Sequence, residues 1–259
     1  MNHLESVLRS LRDEGRKGII PFVSAGDPNL ECTHDILLAL DGAGASAIEV
    51  GVPFSDPIAD GPVIQASSQR ALLSGATLAG VLDMVGSLKG KLRAPVVLFS
   101  YLNPIDRMGF GGFSARSAEV GAHALLLTDA PPGVEPELEQ LLMANGLDRI
   151  VLVAPTTPSA RIPALASIAQ GFVYVIARRG VTGVGAADDE APGLVTGIRE
   201  YTSVPVYVGF GVSTRQHVEA IHTYADGAIV GSALVDLLHR TPLNERAQTA
   251  GSFLRSLNS

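Results

Sequence analysis

The sequence predicts an α/β protein with a single (β/α)8 TIM barrel over residues 1–259. Short apolar runs alternate with helix-like segments along the whole chain, and no Pro/Gly/Ser-rich linker divides it. There are eight such runs in 259 residues. Eight strand–helix units in a chain of this length are typical of a (β/α)8 barrel.

The predicted strands are mostly apolar throughout, which is typical of parallel strands covered on both faces. They cover residues 18–23, 47–52, 96–101, 124–128, 150–153, 172–176, 204–208 and 228–230. Helical spacing is clear at residues 32–44, 78–88, 135–145, 160–170 and from 233 to 239 onward. An open, doubly wound sheet is the alternative. That fold is disfavoured because the first strand is followed by Ser-Ala-Gly-Asp-Pro (24–28), which is not a Gly-rich dinucleotide fingerprint.

Composition excludes several classes of function. The net charge of −7 argues against a nucleic-acid or anionic-membrane surface, because both need clustered Lys and Arg. It still allows one phosphate held by backbone amides. No apolar run reaches the ~20 residues of a membrane span, and residues 1–16 lack a signal-peptide core. Cys32 is the single cysteine and allows no intrachain disulfide, so we expect a cytoplasmic protein.

Glu49 interrupts the otherwise apolar second strand, Ala-Ile-Glu-Val-Gly (47–51). A carboxylate there is costly to desolvate unless it has partners or a chemical role. An apolar setting raises the pKa of such a group toward neutrality, where it can transfer a proton. We therefore interpret Glu49 as an acid–base group. The alternative is a structural glutamate that accepts hydrogen bonds at the barrel rim.

Two long loops follow predicted strands, at residues 53–62 and 178–189. Asp60 lies in the first, and with Glu49 it would place two carboxylates over one barrel mouth, an arrangement suited to acid–base chemistry. A turn or cap role fits Asp60 equally well. Asp56, in the same loop, is interpreted as a turn or interface residue. The second loop contains several glycines and is a candidate lid.

Glycines follow the last two predicted strands, in Gly209-Phe210-Gly211 and in Gly231-Ser232. Gly-rich turns at these places, with a helix N-terminus, form the usual phosphate site of a barrel. Tight turns that only need small residues are the alternative. No histidine stands at metal-ligand spacing with Cys, Asp or Glu, so no metal site is expected.

The run EVGVPFSDPIADGPVIQ (49–65) closely resembles the signature of tryptophan synthase alpha chains. The resemblance continues through Tyr-Leu-Asn-Pro (101–104), Arg-Arg-Gly-Val-Thr-Gly (178–183), Gly-Phe-Gly-Val-Ser (209–213) and Gly-Ser-Ala (231–233). It therefore spans nearly the whole chain, in an order that agrees with the predicted barrel. The chain departs from the family pattern at residues 108–114, at 128–135 and at Arg179.

The resemblance implies a retro-aldol cleavage of indole-3-glycerol phosphate to indole and glyceraldehyde 3-phosphate. Glu49 would protonate indole C3 and then accept the glycerol hydroxyl proton, and Asp60 would stabilise the charge at the indole nitrogen. The implied indole pocket consists of Phe22, Phe99, Tyr101, Leu126, Thr128, Tyr174, Thr182 and Val230. The implied phosphate site consists of Gly183, Gly209, Phe210, Gly211, Gly231 and Ser232. From its position in the loop 178–189, Thr182 is also expected to hydrogen-bond a carboxylate when that loop closes.

The resemblance also implies a partner, a pyridoxal-phosphate-dependent beta subunit in an alpha2beta2 assembly, with no cofactor in this chain. Asp56 and Pro57 lie in the loop that resembles its contact surface. Two alternatives remain: a stand-alone lyase, and a non-catalytic activator of a beta subunit. The Asp56-Pro57 loop favours the ordinary alpha subunit over the stand-alone lyase, which would not need a partner surface. The presence of Glu49 and Asp60 argues against the non-catalytic activator.

Overall fold

The computed structural model describes residues 2–177, 190–209 and 211–258. Outside them lie the predicted loop 178–189 and the predicted site residues Thr182, Gly183 and Phe210. Within them, the strands form one parallel sheet. The strands are β1 (Gly18–Ser24), β2 (Ile48–Gly51), β3 (Val96–Ser100), β4 (Ala124–Leu127), β5 (Asp148–Arg149), β6 (Val151–Val153), β7 (Val173–Ile176), β8 (Val206–Gly209) and β9 (Gly227–Val230). Their order is β5-β4-β3-β2-β1-β9-β8-β7-β6.

The sheet closes into a barrel through a single residue. Its terminal strands β5 and β6 are consecutive in the chain and are separated only by Ile150. The Ile150 amide donates to the Leu125 carbonyl at 2.9 Å and so extends the pairing of β5 with β4. The predicted (β/α)8 barrel is confirmed. The predicted strand 150–153 is wrong in its boundaries, because the strand begins at Asp148 and divides where the chain changes partner from β4 to β7.

Helices cover the outside of this barrel. They are α1 (His3–Asp13), α2 (Leu30–Gly42), α3 (Pro62–Leu73), α4 (Leu78–Ser87), α5 (Leu102–Met108), α6 (Phe110–Glu119), α7 (Pro136–Ala144), α8 (Ile162–Ser167), α9 (Ala191–Arg199), α10 (Arg215–His222), α11 (Ser232–Arg240) and α12 (Arg246–Leu257). The predicted helical segment 160–170 is shorter than expected, since a 3-10 turn at Ser159–Arg161 precedes α8. Among the described residues, no helix has the length and apolarity to span a membrane.

Two apolar cores follow from the alternation of side chains along each strand. One lies between the sheet and the helices, and the other fills the barrel interior. Leu4 and Leu8 of α1, one turn apart on the same helix face, join the interior core with Ile20 and Tyr207. The Asn2 side chain caps this helix and also binds the Gly146 carbonyl at 2.5 Å. Helix α1 therefore packs its apolar face into the barrel interior.

Candidate active site

A cavity of about 560 Å³ opens in the mouth of the barrel. Catalytic sites of (β/α)8 enzymes lie at the carboxyl ends of the strands, and this volume is in the range for a small-molecule site. The wall is formed by Phe22, Glu49, Ala59, Asp60, Gly61, Pro62, Val63, Ile64, Phe99, Thr128, Leu152, Tyr174, Ile176, Gly211, Ile229, Gly231 and Ser232. The structure thus brings both predicted catalytic carboxyls to one cavity.

Glu49 is an inward-facing residue of β2 and is 1% exposed. It pairs in register with Phe22 on β1 and with Val97 on β3, so its carboxyl group is surrounded by apolar strands. Burial raises the pKa of Glu49 to about 8. Its Oε1 atom has no hydrogen-bond partner among the described residues. Glu49 is therefore a protonated acid at neutral pH that lines the cavity.

Asp60 lines the same cavity in a different environment. Tyr101 Oη donates a hydrogen bond to Asp60 Oδ2 at 3.1 Å, and the Ala59 amide donates to Tyr101 Oη at 3.0 Å. Burial raises the pKa of Asp60 to about 6, while the Tyr101 hydrogen bond opposes that shift. At neutral pH the cavity therefore holds one neutral carboxyl group, Glu49, and one carboxylate, Asp60.

The segment between β2 and α3 holds Asp60 in place through its backbone. The Phe54 amide donates to Ser68 Oγ at 2.8 Å, and that hydroxyl donates back to the Phe54 carbonyl at 2.9 Å. Gln65 Nε2 donates to the Asp60 carbonyl at 2.9 Å. These bonds tie the segment to α3 at two points. A carboxylate on a segment fixed in this way needs little reorganisation during a reaction.

Asp56 and Pro57 lie on the outer side of this segment and not in the cavity wall. The neighbouring Ile58 side chain is 85% exposed. The structure thus separates the predicted partner-contact residues from the predicted catalytic residue Asp60, although one segment carries both.

Aromatic side chains form part of the cavity wall. The rings of Phe22 and Phe99 meet edge to face, with their centroids 5.0 Å apart. Tyr174 is half-buried, and the pKa of its hydroxyl is raised by burial and by the nearby Glu49 and Asp60. Such a wall of aromatic edges and faces is suited to binding a flat aromatic ring.

Three residues predicted for the indole pocket do not line the cavity. Leu126 is completely buried in the interior core below it, and Val230 points outward into the core between sheet and helices. Alternation along β9 instead brings Ile229 to the cavity. Tyr101 lines a narrow cleft beside Asp60 and acts on that carboxylate directly. The sequence did not predict the remaining residues of the cavity wall, which are Ala59, Gly61, Pro62, Val63, Ile64, Leu152, Ile176 and Ile229.

Of the predicted phosphate residues that the structure describes, some line the cavity and one does not. Gly211, Gly231 and Ser232 line the cavity, and α11 begins at Ser232, so the first amides of this helix provide donors for an anion there. Gly209 lies against Tyr174 instead: a Cβ atom at residue 209 would be 2.4 Å from Tyr174 Oη. Close packing against that ring explains the glycine without a phosphate.

No group of His, Cys, Asp and Glu that could hold a metal ion occurs in the described part of the chain. The fold and the cavity define a (β/α)8 barrel whose mouth contains two carboxyl groups, Glu49 and Asp60, and the N-terminus of α11.

Comparison with known proteins gives the family. The family model described as tryptophan synthase alpha chain matches residues 8–256, and the chain belongs to this family. The alpha chain of Prochlorococcus marinus is 44% identical over 258 residues, which cover 99% of this chain and 94% of that protein. The alpha chain of Laribacter hongkongensis is 45% identical over 237 residues, covering 91% and 90%.

Solved structures agree with the family assignment. Tryptophan synthase subunit alpha from Legionella pneumophila has a TM-score of 0.89 and 32% identity, covering 99% of this chain and 97% of its own. Tryptophan synthase from M. tuberculosis in its aminoacrylate-bound form has a TM-score of 0.88 and 32% identity, covering 100% of both chains. The family's role is that of the alpha subunit in tryptophan biosynthesis, and its activity is that of a lyase.

Proposed function

We propose that this chain cleaves indole-3-glycerol phosphate to indole and D-glyceraldehyde 3-phosphate by a retro-aldol reaction. The observation that carries the proposal is the pair of carboxyl groups in one cavity: Glu49 with a pKa of about 8 and Asp60 with a pKa of about 6. The reaction needs an acid and a carboxylate at the same pH, and these environments provide both.

The first step uses Glu49 as the acid. Its proton goes to C3 of the indole ring, and positive charge develops at the ring nitrogen. The Asp60 carboxylate accepts a hydrogen bond from the ring N–H and stabilises that charge. A positioned acid or base of this kind contributes ~10²–10⁴ in rate.

The second step uses the Glu49 carboxylate that the first step created. It removes the proton of the hydroxyl on the side-chain carbon attached to C3. The bond between that carbon and C3 breaks, its electron pair neutralises the ring, and the side-chain carbon becomes the aldehyde of glyceraldehyde 3-phosphate. Glu49 ends in its protonated form, so the cycle is closed without any cofactor in this chain.

Substrate orientation follows from the two ends of the cavity. The phosphate binds at the N-terminus of α11 with Gly211, Gly231 and Ser232, where backbone amides and the helix dipole favour an anion. The indole ring lies against Phe22, Phe99 and Tyr174. The predicted contributions of Thr182, Gly183 and Phe210 remain part of the proposal and concern residues outside the described ranges.

The proposed partner is a pyridoxal-phosphate-dependent beta subunit in an alpha2beta2 complex, which the exposed Ile58 beside Asp56 and Pro57 would contact. A stand-alone lyase is the second candidate, and a non-catalytic activator is the third. The third is disfavoured because Glu49, buried without a partner among the described residues, destabilises a folded protein that does not use it.

The test is release of indole from indole-3-glycerol phosphate by the purified chain, with and without a beta subunit. Slow release that rises when the beta subunit is added supports the alpha-subunit function. Fast release that is independent of the beta subunit supports the stand-alone lyase. No release in either case from a folded chain contradicts the proposed reaction and leaves the activator.

A further inference from the structure

The barrel has an open seam between β4 and β6. The ladder of β4 with the next strand ends at Leu125, which pairs with Arg149 and accepts the Ile150 amide. From Val151 onward the chain pairs with β7 instead. Within the described residues, the carboxyl-terminal halves of β4 and β6 therefore lie next to each other without backbone pairing between them. They lie directly below the barrel mouth.

A second cavity of about 240 Å³ occupies this seam. Leu127 and Ile150 form part of its floor, and Pro131, Pro158 and Leu165 close it from the turns and the helix that follow. Thr156, Thr157 and Arg161 also line it. The chamber, as we call this cavity, thus combines apolar side chains with threonine hydroxyls and one cation.

Only Thr128 and Leu152 line both the chamber and the catalytic cavity among the described residues. Both side chains are half-buried, whereas Leu126 and Ile150, one layer below on the same strands, are fully buried. The partition is therefore one side chain thick. Thr128 donates to the Ser100 carbonyl from its amide at 3.2 Å and from its hydroxyl at 3.5 Å, while the Leu152 side chain contributes only apolar contact.

The direction of the substrate brings its ring to this partition. The phosphate is bound beside β8 and β9, and in the closed strand order the opposite side of the mouth is formed by β3 and β4, next to the seam. A substrate anchored by its phosphate extends across the mouth, so the far edge of its ring faces Thr128 and Leu152. This step rests on the proposed function and on the phosphate position given above.

We propose that Leu152 sets the size limit for the aromatic ring of the substrate, and that the chamber behind it is a latent subsite for ring substituents. The leucine side chain closes the subsite, so the unsubstituted indole ring fits against a complete wall. Shortening the side chain joins the two cavities. Substituents at positions 5 and 6 of the ring, which point away from the glycerol chain, then enter the chamber.

The test compares Leu152→Ala with the matched variant Ile229→Ala. Both changes remove a branched aliphatic side chain from the catalytic cavity, but Ile229 does not border the chamber. The measured quantity is the kcat/KM for the 5-methoxy derivative of indole-3-glycerol phosphate divided by the kcat/KM for the parent. We expect this ratio to rise about tenfold or more in Leu152→Ala and to change little in Ile229→Ala, since one apolar group in a pocket changes discrimination by roughly 10–200-fold.

A binding measurement separates this proposal from the proposed reaction. The chain contains no tryptophan, so with excitation beyond the absorption of its five tyrosines the fluorescence of indole and of 5-methoxyindole reports their binding. We expect the ratio of their dissociation constants to shift toward 5-methoxyindole in Leu152→Ala and, by a smaller factor, in Leu152→Val. If wild type does not cleave the parent substrate but the binding ratio shifts, only the reaction is wrong. An unchanged ratio in both variants, or an equal change in Ile229→Ala, overturns the subsite.

Discussion

Tyr101 Oη donates a hydrogen bond to Asp60 Oδ2 at 3.1 Å and accepts a hydrogen bond from the Ala59 amide at 3.0 Å. One phenol therefore binds both the side chain and the backbone of the segment that carries the carboxylate. Since the donated bond favours the charged form of Asp60, it limits the rise in pKa that burial causes. Tyr101 is a positioning residue in this account.

Replacing Tyr101 by Phe should raise the pKa of Asp60 above about 6, because burial then acts without the opposing hydrogen bond. The proposed reaction needs Asp60 ionised and Glu49 protonated, so kcat/KM should be bell-shaped between about pH 6 and pH 8. We expect the acid limb to move to higher pH in the variant. Tyr207→Phe is the matched control, since Tyr207 Oη lies beside Gly18 in the interior core. An unchanged acid limb in Tyr101→Phe would remove Tyr101 from this role.

Replacing Glu49 by Gln should abolish cleavage and change the pH dependence of stability. The folded pKa of Glu49 is raised from 4.5 to about 8, so its stability contribution is complete below pH 4.5 and is lost as the pH rises toward 8. At pH 7 the loss is on the order of 3 kcal/mol. The variant lacks this slope, and its unfolding free energy relative to wild type should increase between pH 5 and pH 9.

Chemical denaturation across that pH range measures the effect, with the exposed Glu200→Gln variant as control. A difference between Glu49→Gln and wild type that does not depend on pH would show that Glu49 titrates normally. Turnover close to wild type would remove Glu49 from the chemistry.

Replacing Ser232 by Asp should weaken substrate binding without weakening the fold. Ser232 is the first residue of α11 and lines the cavity, so the new carboxylate would repel the substrate phosphate. The same charge at a helix N-terminus is favourable by roughly 0.3–1 kcal/mol, so the melting temperature should not fall. We expect KM to rise at least about tenfold, as the loss of 1.4 kcal/mol implies. Equal KM values for Ser232→Asp and the remote control Ser252→Asp would place the phosphate elsewhere.

Replacing Asp27 by Ala should cost roughly 1.5–3 kcal/mol, because it removes the charged hydrogen-bond partner of the Arg70 guanidinium. Two hydrogen bonds of 2.9 and 2.6 Å join these side chains, and Asp27 retains only 7% of its side-chain exposure. Arg70 lies on α3, which follows the Asp60 segment, so activity should fall as well. The exposed pair Arg116–Asp83 is the control, and Asp83→Ala should cost about 0–1 kcal/mol. Similar losses of unfolding free energy in both variants would contradict a structural role for the buried pair.

The barrel and the position of Glu49 could be predicted because they depend on local patterns. The apolar runs identify the strands that are covered on both faces. Alternation of side chains within residues 47–51 places Ala47, Glu49 and Gly51 on one face of the strand. The division of the fifth strand at Ile150 could not be predicted, since its first part consists of the charged residues Asp148 and Arg149 and the pairing partner changes at Ile150.

The orientation of some site residues was also beyond the sequence. Ile229 and Val230 are both apolar, so composition alone does not show which of them faces the cavity. The contact between Tyr101 and Asp60 joins residues 41 positions apart, and the packing of Tyr174 on Gly209 depends on the register of β7 and β8. Each depends on the closed barrel, which brings distant strand ends together.

At neutral pH, Glu49 is a neutral acid while Asp60 is a carboxylate. Carbon-13 NMR of the full chain labelled at Glu and Asp side-chain carboxyl groups measures this directly, with Glu49→Gln and Asp60→Asn used for assignment. We predict one Glu signal that titrates near pH 8 and disappears in Glu49→Gln, and one Asp signal that titrates near pH 6 and disappears in Asp60→Asn. A Glu49 signal that titrates near the ordinary value of 4.5 would contradict the account.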